Sequence, residues 1–239
     1  MTHRTLIGRI QYLSEKPDRF GQERGREVFA MTHHGDGSRT LTAHCEIDDA
    51  PSVIRDVSLT VDSQWHPQDC SVRLMVGGDF TGSGWFRFST HEAECETFTR
   101  AEGRLRQRIG LAQPLRCFGN HAISSDGWLM NVYDLAQGIG TQRIERALIS
   151  SPDHRGATGP TLFQLSFGVG YLGREKITVK AGTFDAHHFQ VLAPDLPEEH
   201  PPYDVWTTAD GDYVMLKGRV TGYMKTYYEL ISLERVHGG

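Results

Sequence analysis

Cysteine is scarce in this chain and scattered. The 239 residues hold four, Cys45, Cys70, Cys95 and Cys117, with no CxxC pair and no zinc-type spacing. That excludes a zinc ribbon or a thioredoxin-like motif, and in a reducing compartment it predicts four unpaired thiols. Long apolar runs are missing, so no membrane-spanning helix is expected. No block of lysine and arginine stands out and the net charge is −5, which argues against a nucleic-acid partner. The opening MTHRTLIGRIQYLSE lacks the apolar core and small-residue cleavage site of an export signal, which predicts a cytoplasmic protein with no membrane partner. The chain has no HxH or HExxH, no phosphate loop, no GxSxG elbow and no strand-to-helix GxGxxG. Neither a metal nor a cofactor is therefore expected.

Helix signals are also few. What the chain has instead is a succession of short segments alternating in period two, separated by turn residues. Leu6 to Leu13 is the first. Arg26 to His33 and Arg39 to Ile47 flank HGDGS, whose Asp36-Gly37 pair is a strong hairpin turn. Val53 to Val61 and Ser71 to Val76 follow, and GSGWFRFST, ECETFTR and GRLRQRIGL continue the meander. In the second half Gln142–Ile149, Thr161–Val169, Glu175–Val179 and Phe184–Leu192 read as strands, the last two joined by a turn at Gly182. YDVWTT, DYVMLKGRV and YMKTYYELISLERV finish the chain. The one helical stretch is SSDGWLMNVYDLAQG, with Ser125 or Asp126 as its cap. The expected fold is all-β, a curved antiparallel barrel or two-sheet, lipocalin-like assembly with one short central helix.

Two runs begin Gly-Arg-Glu, at Gly25 and at Gly173, each followed by a strand, a glycine turn and a second strand. Three shared residues are also what chance supplies. If the runs correspond, the single β-rich domain over 1–239 divides into pseudo-repeated halves, 1–115 and 140–239, joined through the helical stretch. A cleft between such halves is a favoured ligand site.

The stretch YLGREKITVKAGTFDAHHFQV, with YDVWTTADGDYVMLKGRV after it, resembles uncharacterised bacterial β-rich proteins of the DUF3108 type. Gly173, Glu175, Ala181, Gly182, Thr183, Phe184 and Trp206 carry the resemblance, which covers the last third of the chain. It implies a curved antiparallel sheet or barrel and no particular chemistry. Such proteins are often exported, and the opening residues here do not fit that pattern.

Chemistry-bearing residues collect in two places. In CFGNHAISSDGW, His121 and Asp126 lie five positions apart. Together they suit a general base and the carboxylate that orients it; alternatively Asp126 caps the helix and His121 bonds a backbone carbonyl. Arg116 beside them suits an anion or a phenolate, or a surface salt bridge, and Trp128 suits an aromatic wall. Near the C-terminus Tyr203, Trp206, Lys217, Tyr223 and Tyr227 give a dense set of aromatic, phenolic and cationic groups, joined by Tyr171 and His188. Such groups bind a phenol by stacking and hydrogen bonds and move protons; tyrosine also favours strands for its own sake. His33-His34 and His187-His188 are adjacent pairs, which on a strand point to opposite faces and do not chelate one ion. The loop HRGATGP, 154–160, suits close approach to an anion or simply enters a strand.

Two functions follow. The first is a cofactor-independent acid–base enzyme, a lyase, isomerase or cyclase acting on a small aromatic or lipophilic compound such as a plant-derived aromatic. In it His121, Asp126, Lys217 and Tyr223 are catalytic, and Arg116, Trp128, Tyr171, His188, Tyr203, Trp206 and Tyr227 bind substrate. The alternative is a non-catalytic binding protein for a hydrophobic small molecule. The enzyme requires His121 and a tyrosine or lysine on one cavity; the carrier requires an apolar lining without such a pair. Tyrosine- and tryptophan-rich edges also suit pairing in a homodimer.

Overall fold

The computed structural model describes residues 3–193, 198 and 200–237. Alternation dictates most of what it shows. On β3 (Arg39–Ile47) the buried positions are Leu41, Ala43, Cys45 and Ile47; on β4 (Val53–Val61) they are Val53, Arg55, Val57, Leu59 and Val61. Every second side chain thus turns to one face, as a half-buried antiparallel sheet demands. The first half is a meander of eight strands: β1 (Arg4–Ser14), β2 (Glu23–His33), β3, β4, β5 (Pro67–Val76), β6 (Asp79–Phe88), β7 (Glu92–Thr99) and β8 (Gly103–Gly110).

The second half holds β9 (Phe118–Gly119), α1 (Ser124–Leu129), β10 (Gly140–Ile149), β11 (Phe163–Val179), β12 (Gly182–Leu192), β13 (Tyr203–Thr208), β14 (Met215–Val220) and β15 (Thr226–His237). The strands lie in the order 8-7-6-5-4-3-2-1-15-14-13-12-11-10-9. First and last strands therefore pair at the centre, from Arg4 opposite His237 to Ser14 opposite Thr226, and each half runs outward from that seam. Pairing is antiparallel except between β9 and β10. This is the expected curved all-β assembly with one short central helix.

The sheet does not close by a ladder, since β8 and β9 are its two ends. Side chains bridge the gap instead. Phe118 packs against Phe86 and Phe88 at ring separations of 5.1 and 4.7 Å. Gln107 on β8 donates to the Leu162 carbonyl at 3.0 Å and accepts from the Leu162 N–H at 2.9 Å. The four cysteines are buried and unpaired, and burial pushes the Cys70 thiol well up and the Cys117 thiol up to about 12.

Two elements differ from expectation. The helical stretch forms one six-residue α-helix and then two 3-10 turns, Met130–Val132 and Leu135–Gln137. Tyr133 is extended, and the Asp134 carboxylate takes the Ala136 N–H at 3.1 Å, so a side chain competes with the helical ladder there. The separate strands expected over 161–169 and 175–179 are one 17-residue strand, β11. Its register shifts between Tyr171 and Gly173, so the strand bends at a bulge where a break was expected.

Helix α1 lies on the buried face, and Gly127 lets it approach. A Cβ at Gly127 would stand 2.3 Å from the Tyr213 carbonyl oxygen and 3.0 Å from the Met215 nitrogen. Backbone on both sides leaves no soft neighbour to give way. Gly127→Ala is expected to destabilise the fold by about 1–3 kcal/mol, read as a lower urea midpoint at unchanged slope.

Candidate functional site

The helix is capped from a distant strand. Neither Ser125 nor Asp126 caps it, contrary to expectation; Ile123 stands at the N-cap without a side-chain bond. The Glu27 carboxylate on β2, fully buried, takes the Ile123 and Ser124 N–H groups at 2.9 and 2.8 Å. The same carboxylate accepts from the Tyr12 hydroxyl at 2.8 Å and the Cys45 thiol at 3.1 Å. Glu27, Cys45 and Arg55 are cross-strand neighbours on β2, β3 and β4. An acid and a base thus occupy one row of an otherwise apolar face. Glu175, the third residue of the later Gly-Arg-Glu run, has unlike surroundings. It is half exposed and accepts from the Trp206 indole at 2.7 Å.

Next to this row is a cavity of about 120 Å³, lined by Arg55 of β4 and otherwise by residues of the second half. Its apolar wall comes from Leu129, Met130, Ile149, Leu165, Phe167 and Val191. Its polar groups are Arg55, Asn120, His121, Asp126, Asp153, His154 and Tyr203, with Ser151 and His200 beside them. The 154–160 loop forms one side. The Arg155 carbonyl accepts from Arg55 at 3.1 Å, and the Arg155 guanidinium holds the Asp49 carbonyl at 2.6 Å. Gly156 (φ +59°) passes so close that a Cβ there would meet Arg55 Nη1 at 2.8 Å and the His121 ring at 3.2 Å. The loop is therefore built into the site.

His121 is 2% exposed and has both ring nitrogens engaged. Nε2 donates to the Thr158 carbonyl at 2.9 Å, which leaves Nδ1 to accept from the Ser150 hydroxyl at 2.6 Å. Burial pushes the ring down to about 4, so it is neutral with a fixed tautomer. The expected pairing of His121 with Asp126 does not form. The partner of Asp126 is the buried Tyr203 hydroxyl, and burial lifts its carboxyl to about 7, against the hydrogen bond from Tyr203. His154 is pushed down to about 3, first by burial and then by the neighbouring His200.

Of the residues singled out from sequence, His121, Asp126 and Tyr203 line this cavity. Lys217, Trp206, His188 and Tyr227 form a cluster on the opposite face of the sheet. His188 stacks on Trp206 at 3.9 Å, and the Lys217 ammonium lies 4.5 Å from the Trp206 ring and 5.4 Å from Tyr227. His188 also meets Asp204 at 3.1 Å. Lys217 thus has aromatic cover on that face and lines no lumen. Tyr223 is 54% exposed on the turn before β15. Arg116 is exposed and donates to the Val132 carbonyl at 2.7 Å, where a salt bridge or a bound anion was expected. Trp128 packs edge-on against Trp65 at 5.5 Å. Tyr171 packs on Phe189 and meets His187 Nδ1 through its hydroxyl at 2.9 Å. Lys217 and Tyr223 therefore do not converge with His121.

Arg55, Asn120 and His154 were not singled out from the sequence as site residues. Each carries a buried nitrogen without a hydrogen-bond partner among the described residues: Nε and Nη2 of Arg55, Nδ2 of Asn120 and Nε2 of His154. Buried polar atoms are normally partnered, so four such atoms around one cavity are the polar feature of the site. For Arg55 the signal was present, since alternation from Val53 to Val61 sets it on the apolar stripe. No group of three or more His, Cys, Asp or Glu among the described residues is placed to hold a metal ion.

No family model matches the sequence, and no curated protein matches it. Among solved structures, the chain is similar to a β-barrel-like protein of the domain of unknown function DUF1849 from Brucella abortus. Identity is 11%, with a TM-score of 0.57 over 98% of this chain and 97% of that one. A DUF1089 family protein from Pseudomonas aeruginosa aligns at 9% identity and a TM-score of 0.37 over 84% and 86% of the two chains. The first likeness shows the fold, a curved β-barrel-like sheet.

Proposed function

We propose that the protein binds a small, largely apolar molecule in the cavity beside Arg55. The observation that carries this reading is an apolar pocket whose polar lining residues carry four buried nitrogens with no hydrogen-bond partner among the described residues. Small-molecule sites have this composition: an apolar wall and a few convergent polar groups that set orientation. At about 120 Å³ the cavity suits one aromatic ring or a short branched chain; an apolar cavity of about 150 Å³ admits benzene. The resemblance of the last third to DUF3108-type proteins is part of the same reading. It contributes scaffold, with Ala181 in the turn between β11 and β12, Gly182 opening β12 and Glu175 bonded to Trp206.

The test is thermal. Ring-sized acids, alcohols and amides are expected to raise the melting temperature of the native protein. Val191→Phe, which fills the apolar end, should fold and lose that response. A ligand present at about a hundred times its dissociation constant adds about 2.7 kcal/mol, a readily measured shift. A panel without effect, or a filled variant that responds like the native protein, overturns the reading.

A second reading, acid–base catalysis on the bound molecule, is favoured by Asp126 alone. A carboxyl near neutrality beside a tyrosine hydroxyl is suited to donate or accept a proton at the cavity wall. His121, locked by Ser150 and Thr158, has no such role in it. Turnover of a bound compound that disappears in Asp126→Asn, with binding retained, would establish the enzyme; binding without turnover leaves the carrier.

A further inference from the structure

Arg55 is the least ordinary residue in the interior. It is 2% exposed, and a guanidinium is charged at any working pH. Buried cations are normally in contact with an anion. Arg24, the other deeply buried arginine, meets that requirement through Asp49. Arg55 does not: among the described residues no carboxylate forms an ion pair with it, and its one hydrogen bond goes to the Arg155 carbonyl. Glu27, one strand beyond Cys45 in the same row, is occupied by Tyr12, Cys45, Ile123 and Ser124. Two guanidinium nitrogens remain without a partner among the described residues, on a side chain that lines the cavity.

Asn120 adds a third donor whose orientation is fixed. Its Oδ1 accepts from the Ala122 N–H at 2.9 Å and the Ser125 hydroxyl at 2.8 Å. The amide cannot be flipped without losing both bonds, so the NH₂ group is the unpartnered end. His154 Nε2 adds a further polar atom. The rest of the lining is mainly apolar, and Asp126 holds the one carboxyl paired only with a hydroxyl.

We infer that the molecule bound here is a monocarboxylate, its carboxylate on Arg55 and the Asn120 amide and its short or single-ring body against Leu165, Phe167 and Val191. The inference rests on the ligand-binding reading above and narrows it. A carboxylate supplies the contact anion that Arg55 lacks and accepts N–H bonds in the fork geometry a guanidinium presents. The apolar wall makes an inorganic anion a poorer fit, because most of the cavity offers it no partner.

The probes are benzoate and isovalerate, with benzyl alcohol and benzamide as neutral partners of similar shape, and inorganic phosphate as an anion without a body. Calorimetry on the native protein is expected to show the acids binding at least about tenfold more tightly than the neutral compounds, and phosphate not binding. Asn120→Asp keeps the acceptor toward Ala122 and Ser125 while replacing the free NH₂ with an anionic oxygen. It should weaken the acids by about tenfold or more and leave benzyl alcohol unchanged. Arg55→Met should abolish acid binding, and Asn120→Asp, which leaves the buried row intact, reads the same site if Arg55→Met does not fold. Neutral compounds binding as well as acids, phosphate binding like benzoate, or acids unaffected by Asn120→Asp would each overturn the carboxylate assignment while leaving the cavity a ligand site. If none of the probes binds, both readings fall.

Discussion

Replacing Glu27 with alanine is expected to remove about 3–5 kcal/mol of folding stability, the range for breaking one side of a buried charged cluster. The residue lies at the start of β2's apolar stripe, with Phe29 and Met31 next on the same face. It joins three parts of the molecule: Tyr12 from β1, Cys45 from β3 and the first N–H groups of α1. Alanine leaves the Tyr12, Ile123 and Ser124 donors unpaired, leaves the Cys45 thiol only its long contact to the His121 carbonyl, and removes the negative charge nearest Arg55 in its row. Each unpaired buried donor costs about 1–3 kcal/mol unless the structure opens to water. Glu27→Gln separates charge from shape. Its amide retains one acceptor oxygen, but the NH₂ must face either the Ser124 N–H or the group of three donors around the other oxygen. A loss of about 2 kcal/mol is expected, smaller than for alanine and still well above surface substitutions. Urea unfolding measures both. The same samples should show weaker protection of the Ile123 and Ser124 amides in hydrogen exchange. An alanine variant within about 1 kcal/mol of the native protein would mean that α1 is held by packing alone.

The row containing Glu27 and Arg55 marks the boundary of what sequence patterning reveals. Period two placed nearly every strand, because each has one wet and one dry face and alternation records that difference directly. Turn and helix-start residues in the same way mark the hairpin at Asp36-Gly37 and the helix start near Ser124. The same alternation puts Glu27 level with Phe29 and Met31, and Arg55 level with Val57 and Leu59, so both charges are visible as intruders on an apolar stripe. Residue types that commonly catalyse, such as His121, Lys217 and Tyr223, are more conspicuous than these intruders and do not mark the same place. Alternation does not say which dry face curls around the helix, or that the 154–160 loop crosses from one half to the other to meet Arg55. The partners of His121, Ser150 and Thr158, are 29 and 37 residues away along the chain. The opposite-face cluster around Trp206 follows from cross-strand register, with His188 opposite Trp206 and Trp206 opposite Lys217. Register depends on bulges such as those at Tyr171 and Trp206, which composition does not announce.

Acidification from pH 6.5 to 4.5 is expected to lower stability by about 2 kcal/mol, with the interior around the cavity as the main cause. The two histidines at the cavity are neutral in the fold, pushed down by burial to about 4 at His121 and about 3 at His154. In the unfolded chain both take up a proton near pH 6.5. Their contribution is therefore complete above pH 6.5 and is lost as pH falls toward 4. Asp126 acts in the opposite sense. With its carboxyl lifted to about 7, the fold keeps a proton that the unfolded chain releases near pH 4, so this group favours the fold at low pH and opposes it as pH rises to 7. Toward the middle of the window from about 4 to 6.5 the unfolded chain binds almost two protons more at the histidines and one fewer at the aspartate, a net slope of at most about 1.4 kcal/mol per pH unit. Groups facing Asp126 set its share: Tyr203 and Arg55 favour its charged form, Glu27 and burial disfavour it. Elsewhere His33 and His187, lowered by burial, add to the slope, and His44, raised by its bond to Asp56, opposes it. Two variants isolate the cavity's part. Asp126→Asn should roughly double the slope, to about 2.7 kcal/mol per unit, and should be more stable than the native protein at pH 8. His154→Phe should flatten it. Urea midpoints at half-unit steps from pH 4 to 8 supply the measurement. Parallel curves for the native protein and Asp126→Asn would show that Asp126 titrates as an ordinary surface carboxylate, and the proton-transfer reading of the cavity would then lose its only support.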